Sequence, residues 1–352
     1  MDNVGKNHLN SMRPVIIWLY SGIILILLMV AVGGAVRLTD SGLSIVEWKP
    51  VSGIIPPMNN AEWQEAFDNY KKIPEYKIEN YQIDLNQFKK IFLWEYFHRL
   101  IARIIGLVFI IPFVFFWIRG YFRKDKLLFK ILLIFILALF QAWLGWYMVQ
   151  SGFTKLTDVS HYRLAIHLFY ATLLASYVLW VVLDIQFKND NTFFISGLSK
   201  FTLISLLILA VQLFYGAFTA GLNAGYYFND YPKMGGEWIP TLGINAIKEQ
   251  GIQSVISDPV VVYFIHRWWA IVLFVWLLFY SFRFLRKTDK NLLKNLFKTI
   301  IILISFQLIL GIITVLSSVN IFSAIIHQVN GIAIFLVLVS ILYFSLKPKR
   351  GL

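Results

Sequence analysis

The sequence predicts an all-α membrane protein: eight transmembrane helices forming two duplicated four-helix bundles in parallel orientation. Three observations carry this. Apolar runs of about 20 residues, enough to cross a hydrocarbon layer of roughly 30 Å, recur along the chain. The composition is 58% hydrophobic with only 14% charge, which places the chain outside the range of soluble domains. Motifs in the first four runs return in the last four at near-constant offsets.

The first span, 14–36, follows a short polar tail, 1–13. No cleavable signal or transit sequence is read there, so the expected setting is a bacterial cell inner membrane. A long outer loop, 37–90, comes next. Pro56, Pro57 and Pro74 interrupt helix formation in it, and its stretch from Asn60 to about Tyr81 is amphipathic; a loop of this length is a candidate cap over a pocket. The remaining spans are read at 91–118, 127–150, 162–184, 199–222, 260–282, 297–317 and 321–346, with a tail at 347–352. The first half is 14–184 and the second 185–346.

Orientation follows from the short loops. The two tails with 119–130, 184–200 and 283–298 hold 18 Lys and Arg, against only Lys155, Arg163, Lys233 and Lys248 in the opposite loops after spans three, five and seven; the long loop 37–90 carries charges of both signs and translocates largely regardless of them. Both termini are therefore expected in the cytoplasm. The net charge of +13 resides mostly in these loops, where it sets topology; no nucleic-acid partner is implied.

EYFHRLIARIIG in span two parallels YFIHRWWAIVLF in span six, FQAWLGWYMVQSG in span three parallels FQLILGIITVLSS in span seven, and AIHLFYA in span four parallels IIHQVNGIA in span eight. The offsets are 168 for His98 and His266, 166 for Gln141 and Gln307, and 160 for His167 and His327. Four spans per repeat give both halves the same orientation, related by an axis along the membrane normal.

His98, His167, His266 and His327 each stand about seven residues inside the outer end of an even-numbered span, roughly 10 Å deep at 1.5 Å per residue. Ionisable groups at such depth are costly and mark function. Neutral imidazoles on facing helices of a bundle are ligands for haem iron, so His98 with His167 and His266 with His327 form two candidate metal sites. With no cysteine in the chain, disulfides, thiolate clusters and covalent haem attachment are excluded. His161, at the lip of span four, and His8, in the tail, are read as non-ligands.

Arg37, Arg99, Arg103, Arg163 and Arg267 gather at the same end, as candidate partners for haem propionates or as snorkelling side chains. Gly33, Gly34, Gly145, Gly216, Gly221 and Gly311 offer close approach to a flat ring, or ordinary helix packing. Glu95 lies three residues before His98, on the same helix face, where the second half has Tyr263. A carboxylate beside a haem could move a proton or stabilise a cation; pairing with Arg99 is the alternative. This asymmetry assigns chemistry to the first half and a resident electron-transfer haem to the second.

GGAVRLTDSGLSIVEWKPVSGIIPP, AEWQEAFDNYKKIPEYK, EYFHR, YRLAIH, FIHRWWA and IHQVNG together resemble haem A synthase, in the cysteine-free subclass shared by alphaproteobacteria and mitochondria. The likeness covers nearly the whole chain. It implies oxidation of the C8 methyl group of haem O to a formyl group, giving haem A for cytochrome oxidase. It also implies a haem b cofactor on His266 and His327, a haem O site at His98 and His167, and a catalytic role for Glu95. A related subclass carries cysteine pairs in its outer loops; a mechanism using those thiols does not transfer here. Haem O is expected to enter the first half from the lipid, its farnesyl tail left in the bilayer. Water is the expected source of the formyl oxygen, and the farnesyl transferase that makes haem O an expected partner. No motif marks the electron acceptor. The residues taken alone also admit a di-haem b-type electron carrier, a haem transporter or chaperone, and a proton-coupled transporter without haem.

Overall fold

A computed structural model describes residues 3–47, 52–123, 126–153, 157–187 and 195–346. The tail at 347–352 lies outside the described residues, as do 48–51 of the outer loop. Among the described residues the regular structure is helical, apart from one isolated antiparallel bridge between Met234 and Glu237.

Among the described residues eight helices are long and apolar enough to cross a membrane: α1 (Asn3–Leu38), α4 (Leu85–Ile118), α5 (Leu127–Val149), α6 (His161–Gln186), α7 (Leu198–Gly221), α10 (Pro259–Leu285), α11 (Asn291–Leu316) and α12 (Ile321–Leu346). Shorter helices α2 (Asn60–Tyr70), α3 (Pro74–Ile78), α8 (Thr241–Gln250) and α9 (Ser254–Ser257) belong to the outer segments. This is a multi-pass membrane protein.

Two boundaries differ from the sequence reading. Helix α1 runs back through most of the polar tail, which carries no helix breaker before Pro14. Helix α4 starts at Leu85, six residues early, because Asp84 and Gln87 form a reciprocal capping box at 2.8 and 2.9 Å. Such a cap satisfies N–H groups that a helix start otherwise leaves without partners. Helix α10 is started likewise by Asp258, which accepts from the N–H groups of Val260 and Val261, both at 3.0 Å.

In the second half, α7 packs on α10, α10 on α11, α11 on α12, and α12 back on α7, closing a ring of four. The first half repeats three of these pairings, α1 with α4, α5 with α6 and α6 with α1. Helices α4 and α5 share no extended packing among the described residues. They meet where Phe109 and Phe113 pack against Phe135, at 5.0 and 4.8 Å between ring centroids, beyond the histidines. The burial pattern agrees. Leu273, Leu277 and Tyr280 of α10 are buried, while the matching Ile105, Phe109 and Pro112 of α4 are only half-buried. The halves join through α6 on α7 and through α12 on α6 and α1, around buried residues including Leu19, Val182, Leu209, Ile334 and Leu338.

The outer loop 37–90 folds onto α4. Leu43, Phe67, Tyr70, Ile73, Phe88, Phe92 and Tyr96 make a small separate core there. The second half has its own outer layer, with Ala224, Met234, Tyr263 and Val315 packed together. The long loop therefore has a counterpart in the second half. Its counterpart is spread over α8, α9 and short turns, whose sequence carries no shared motif.

Candidate functional site

Each of the four imidazoles lies over a glycine on another helix. A Cβ added at Gly33 would come within 3.3 Å of His98 Nε2; at Gly145, 3.0 Å from His167 Cε1; at Gly216, 3.2 Å from His266 Cε1; at Gly311, 3.1 Å from His327 Cε1. Any side chain there would push the ring away. The glycines sit on α1, α5, α7 and α11, the histidines on α4, α6, α10 and α12, so the same seat is built four times.

Three of the seats carry a glutamine four residues before the glycine. Gln212 donates to the His266 carbonyl at 3.1 Å and stands 3.1 Å from Nδ1. Gln307 donates to the His327 carbonyl at 3.0 Å and stands 3.3 Å from Nε2. Gln141 donates to the His167 carbonyl at 3.2 Å and lies 3.3 Å from both ring nitrogens. Asn330 steadies Gln307, donating to its side-chain oxygen at 2.6 Å. At the fourth seat the matching residue is Met29, and the His98 ring has no hydrogen bond among the described residues. The sequence reading singled out Gln141 and Gln307 only as repeat markers and did not see Gln212. The signal was present: QLFYG in span five has the Gln-x3-Gly spacing of QAWLG and QLILG.

The His266 and His327 rings face each other with centroids 6.4 Å apart and planes at 80°. Two imidazoles on opposite sides of one metal, each at about 2 Å, place their ring centres roughly 6 Å apart, so this pair fits a single iron. His327 Nδ1 is buried without a hydrogen-bond partner, as a base awaiting a ligand would be. Among the described residues no three His, Asp or Glu side chains converge as a bare metal ion would need. A two-histidine site suits an iron whose remaining ligands come from a porphyrin. His98 and His167 make no ring contact of this kind among the described residues.

The arginines divide. Arg99 and Arg267, each following a histidine, hold down the outer segments. Arg99 donates to the carbonyls of Ile45 and Glu47 at 2.9 and 3.2 Å. Arg267 donates to those of Asp230, Pro232 and Lys233 at 2.9, 3.2 and 2.9 Å, while its Nη1 is buried without a partner. Arg37 lies between the halves, bonded to Asp40 at 2.7 Å and to Asn223 at 2.9 Å, with Asp158 at 3.4 Å. Arg163 donates to the Tyr147 carbonyl at 2.7 Å and lies over that ring. Arg103 is half-buried one turn below Arg99.

Glu95 is 3% exposed. Its carboxylate accepts from Ser44 Oγ at 2.7 Å, the Ile45 N–H at 2.8 Å and Arg99 at 2.5 Å. The start of the outer loop is thus tied to the helix that carries His98. Tyr263, its second-half counterpart, donates to the Phe228 carbonyl at 3.2 Å and anchors that outer layer. Sequence reasoning anticipated the Glu95–Arg99 pair, but not Ser44 and Ile45, which reach it only through the loop's fold. His161 Nε2 donates to the Ile256 carbonyl, 3.0 Å away, and joins neither pair.

Four buried imidazoles, each over a glycine of another helix, on a scaffold whose sequence motifs repeat, define a polytopic membrane protein with histidines set inside its spans. Residues 16–339 match the model of the cytochrome oxidase assembly protein family, COX15-CtaA, and the chain belongs to that family. It is 41% identical over 334 residues to the Heme A synthase of Rhizorhabdus wittichii, covering 94% of each chain. The Heme A synthase of Flavobacterium johnsoniae is 41% identical over 322 residues, 90% of this chain and 93% of that one. That of Pelagibacter ubique is 40% identical over 341 residues, 95% of this chain and 97% of that one.

Proposed function

We propose that this chain is an oxidoreductase that converts the C8 methyl group of haem O to a formyl group, producing haem A. The observation that carries this reading is the inequality of two duplicated sites. The second-half seats are closed, glycine-lined and braced by Gln212 and Gln307. The first-half pair stands in a bundle open between α4 and α5, with a buried carboxylate one helical turn from His98. A resident cofactor suits the first environment and an exchanging substrate the second.

His266 and His327 would hold a haem b, with the unpartnered Nη1 of Arg267 available to a propionate. That haem supplies the route by which electrons leave the substrate for an external acceptor. His98 and His167 would ligate the iron of haem O. The gap between α4 and α5 gives its hydrophobic tail a way into lipid, so the substrate need not cross water. Arg99, held over the same pocket with Arg103 below it, is placed for propionate charge, and Arg37 and Arg163 supply positive charge at the outer rim. Glu95 accepts protons as the methyl carbon is oxidised through an alcohol to an aldehyde hydrate, which loses water. Water is the proposed source of the formyl oxygen; a product labelled only from O2, without exchange at the hydrate, would exclude that step. The setting is a bacterial inner membrane with both termini in the cytoplasm, and the farnesyl transferase that supplies haem O is a partner suited to a hydrophobic substrate.

The test is reversed-phase chromatography of haems from a host that makes haem O but not haem A, expressing wild type or Glu95→Gln. Haem A is expected from wild type, and haem O or the alcohol from the variant. Unaltered haem O beside folded, haem-loaded wild type would favour the di-haem electron carrier, which the same four histidines would serve.

A further inference from the structure

Helix α8, in the outer layer of the second half, has apolar surface that the protein does not cover. At about 100° per residue, Leu242, Ala246, Gly243, Ile247 and Ile244 follow one another round one side of it. Thr241, Asn245, Lys248 and Glu249 fill the other side. Only the middle of the apolar side is used for packing. Gly243 and Ala246 are buried, and a Cβ added at Gly243 would come within 3.4 Å of Val260 and 3.6 Å of Val261, in the first turn of α10. Leu242, Ile244 and Ile247 are left exposed at the edges. Trp238 and Ile239, before the helix, are exposed too, and Ile252, just past the turn at Gly251, is 87% exposed.

The layer over the first half is built the other way. Helix α2 buries Phe67 and Tyr70 and presents Asn60, Glu62, Gln64, Glu65 and Asp68 outward, a surface suited to water. The apolar surface around α8, by contrast, continues one that must lie in lipid. Trp268, Val272, Val275 and Phe279 are exposed along α10, spaced as a single stripe down one face of a spanning helix. The Trp238 ring stands 6.3 Å from that of Trp268, at the head of this stripe. Lys233 Nζ lies 5.9 Å from the centre of the Trp238 ring, which places a cation against it. Tryptophan beside a basic residue is the pairing favoured where hydrocarbon gives way to headgroups.

We propose that the segment 238–252 is an interfacial membrane anchor of the second half. Helix α8 lies in the surface of the bilayer at the histidine end of the spans. Trp238, Ile247 and Ile252 enter the acyl region of that leaflet, while Asn245 and Lys248 are turned to headgroups and water. An amphipathic helix in this setting lies along the interface, its apolar side about 5–10 Å into the boundary. The occupant of the uncovered edges is lipid, because the stripe they continue belongs to a spanning helix whose solvent is the bilayer. The two outer layers then differ in medium: the 37–90 loop is a cap standing in water, and the layer of the second half is seated in the membrane. The anchor is independent of the chemistry proposed above.

The chain has no cysteine, so single cysteines can be spin-labelled in the full-length protein. Ile247→Cys, Ile252→Cys, Asn245→Cys and Glu65→Cys would each be labelled and reconstituted in phosphatidylcholine vesicles. Collision of the label with oxygen, which concentrates in lipid, is then compared with collision with a water-soluble nickel chelate. Labels at 247 and 252 should favour oxygen, at a depth of about 5–10 Å. Labels at 245 and 65 should favour the nickel chelate. A label at either 247 or 252 that favours the chelate would overturn the anchor. So would a label there shielded from both reagents, as a second copy of the chain or another protein would shield it. Equal preference for oxygen at 245 and 247 would overturn the interfacial orientation of α8. Should Ile247→Cys fail to accumulate, Ile244→Cys, on the same edge of the helix, is judged by the same criterion.

Discussion

The two halves of this molecule were built from one pattern and have diverged where it matters. In the second half four helices close on one another, and two histidines oppose each other at 6.4 Å, each over a glycine and beneath a glutamine. In the first half the glycine seats are kept. One brace is replaced by Met29, one helix pairing is loosened, and Tyr263 is exchanged for Glu95. Retention and turnover ask opposite things of a site. A cofactor is held by preorganised ligands that lose no freedom on binding, whereas a substrate must also leave. On the proposed function, loosening one ligand and one seam while keeping the seats would make an exchange site from a retention site with few substitutions.

The largest effect expected on this contrast comes from filling a seat. Gly311→Leu would drive a side chain into His327, where even a Cβ comes within 3.1 Å. Overpacking of this kind costs about 1–3 kcal/mol, and the variant should be purified without its haem absorbance. The matching Gly145→Leu should spare that absorbance and abolish haem A formation. Next in size is removal of a brace. Gln212→Leu deletes the donor to the His266 carbonyl, a loss of about 1 kcal/mol, read as faster transfer of haem to apomyoglobin. The reverse change sharpens the comparison: Met29→Gln should add the missing brace at His98 and slow release of product from the first half, with haem b content unchanged.

A pH effect separates the two outer layers. The folded Glu75 carboxyl titrates at about 8, above its unfolded value. Its contribution to stability is therefore fully present in acid and is lost as pH rises from the ordinary carboxylate range to about 8, levelling beyond. Glu75→Gln should remove that decline, visible as protease resistance of the 37–90 loop at alkaline pH, while cleavage of the 222–258 segment stays the same. The smallest effect belongs to a cap. Asp84→Ala breaks the capping box of α4 at a cost of about 1 kcal/mol, seen as fraying of 85–91 in hydrogen exchange and not in haem content.

Much of this was legible in the sequence because membrane helices announce themselves one at a time. The spans follow from apolar length, and the histidines and Glu95 stand out as polar residues where polarity is costly. The third use of Gln-x3-Gly, at Gln212, is equally visible, but span one carries Met29 at the matching position and so hides the repeat there. The roles of Arg99 and Arg267 as clamps on the outer segments could not be read, because the carbonyls they grip are 34 to 54 residues away. Glu75 looked like one more solvated charge in an amphipathic stretch. Its burial depends on Tyr70 and Tyr76 folding against α4, a tertiary event with no local periodicity. The open seam between α4 and α5 is invisible for the same reason, since both helices are apolar enough to pack.

The division of labour between the halves is tested most directly by the haem held by purified protein carrying His98→Ala with His167→Ala, beside protein carrying His266→Ala with His327→Ala. The account predicts one haem b per chain and no haem A product for the first variant, and no stably bound haem b for the second. Equal losses of haem b from both variants would contradict it and make the two halves equivalent carriers.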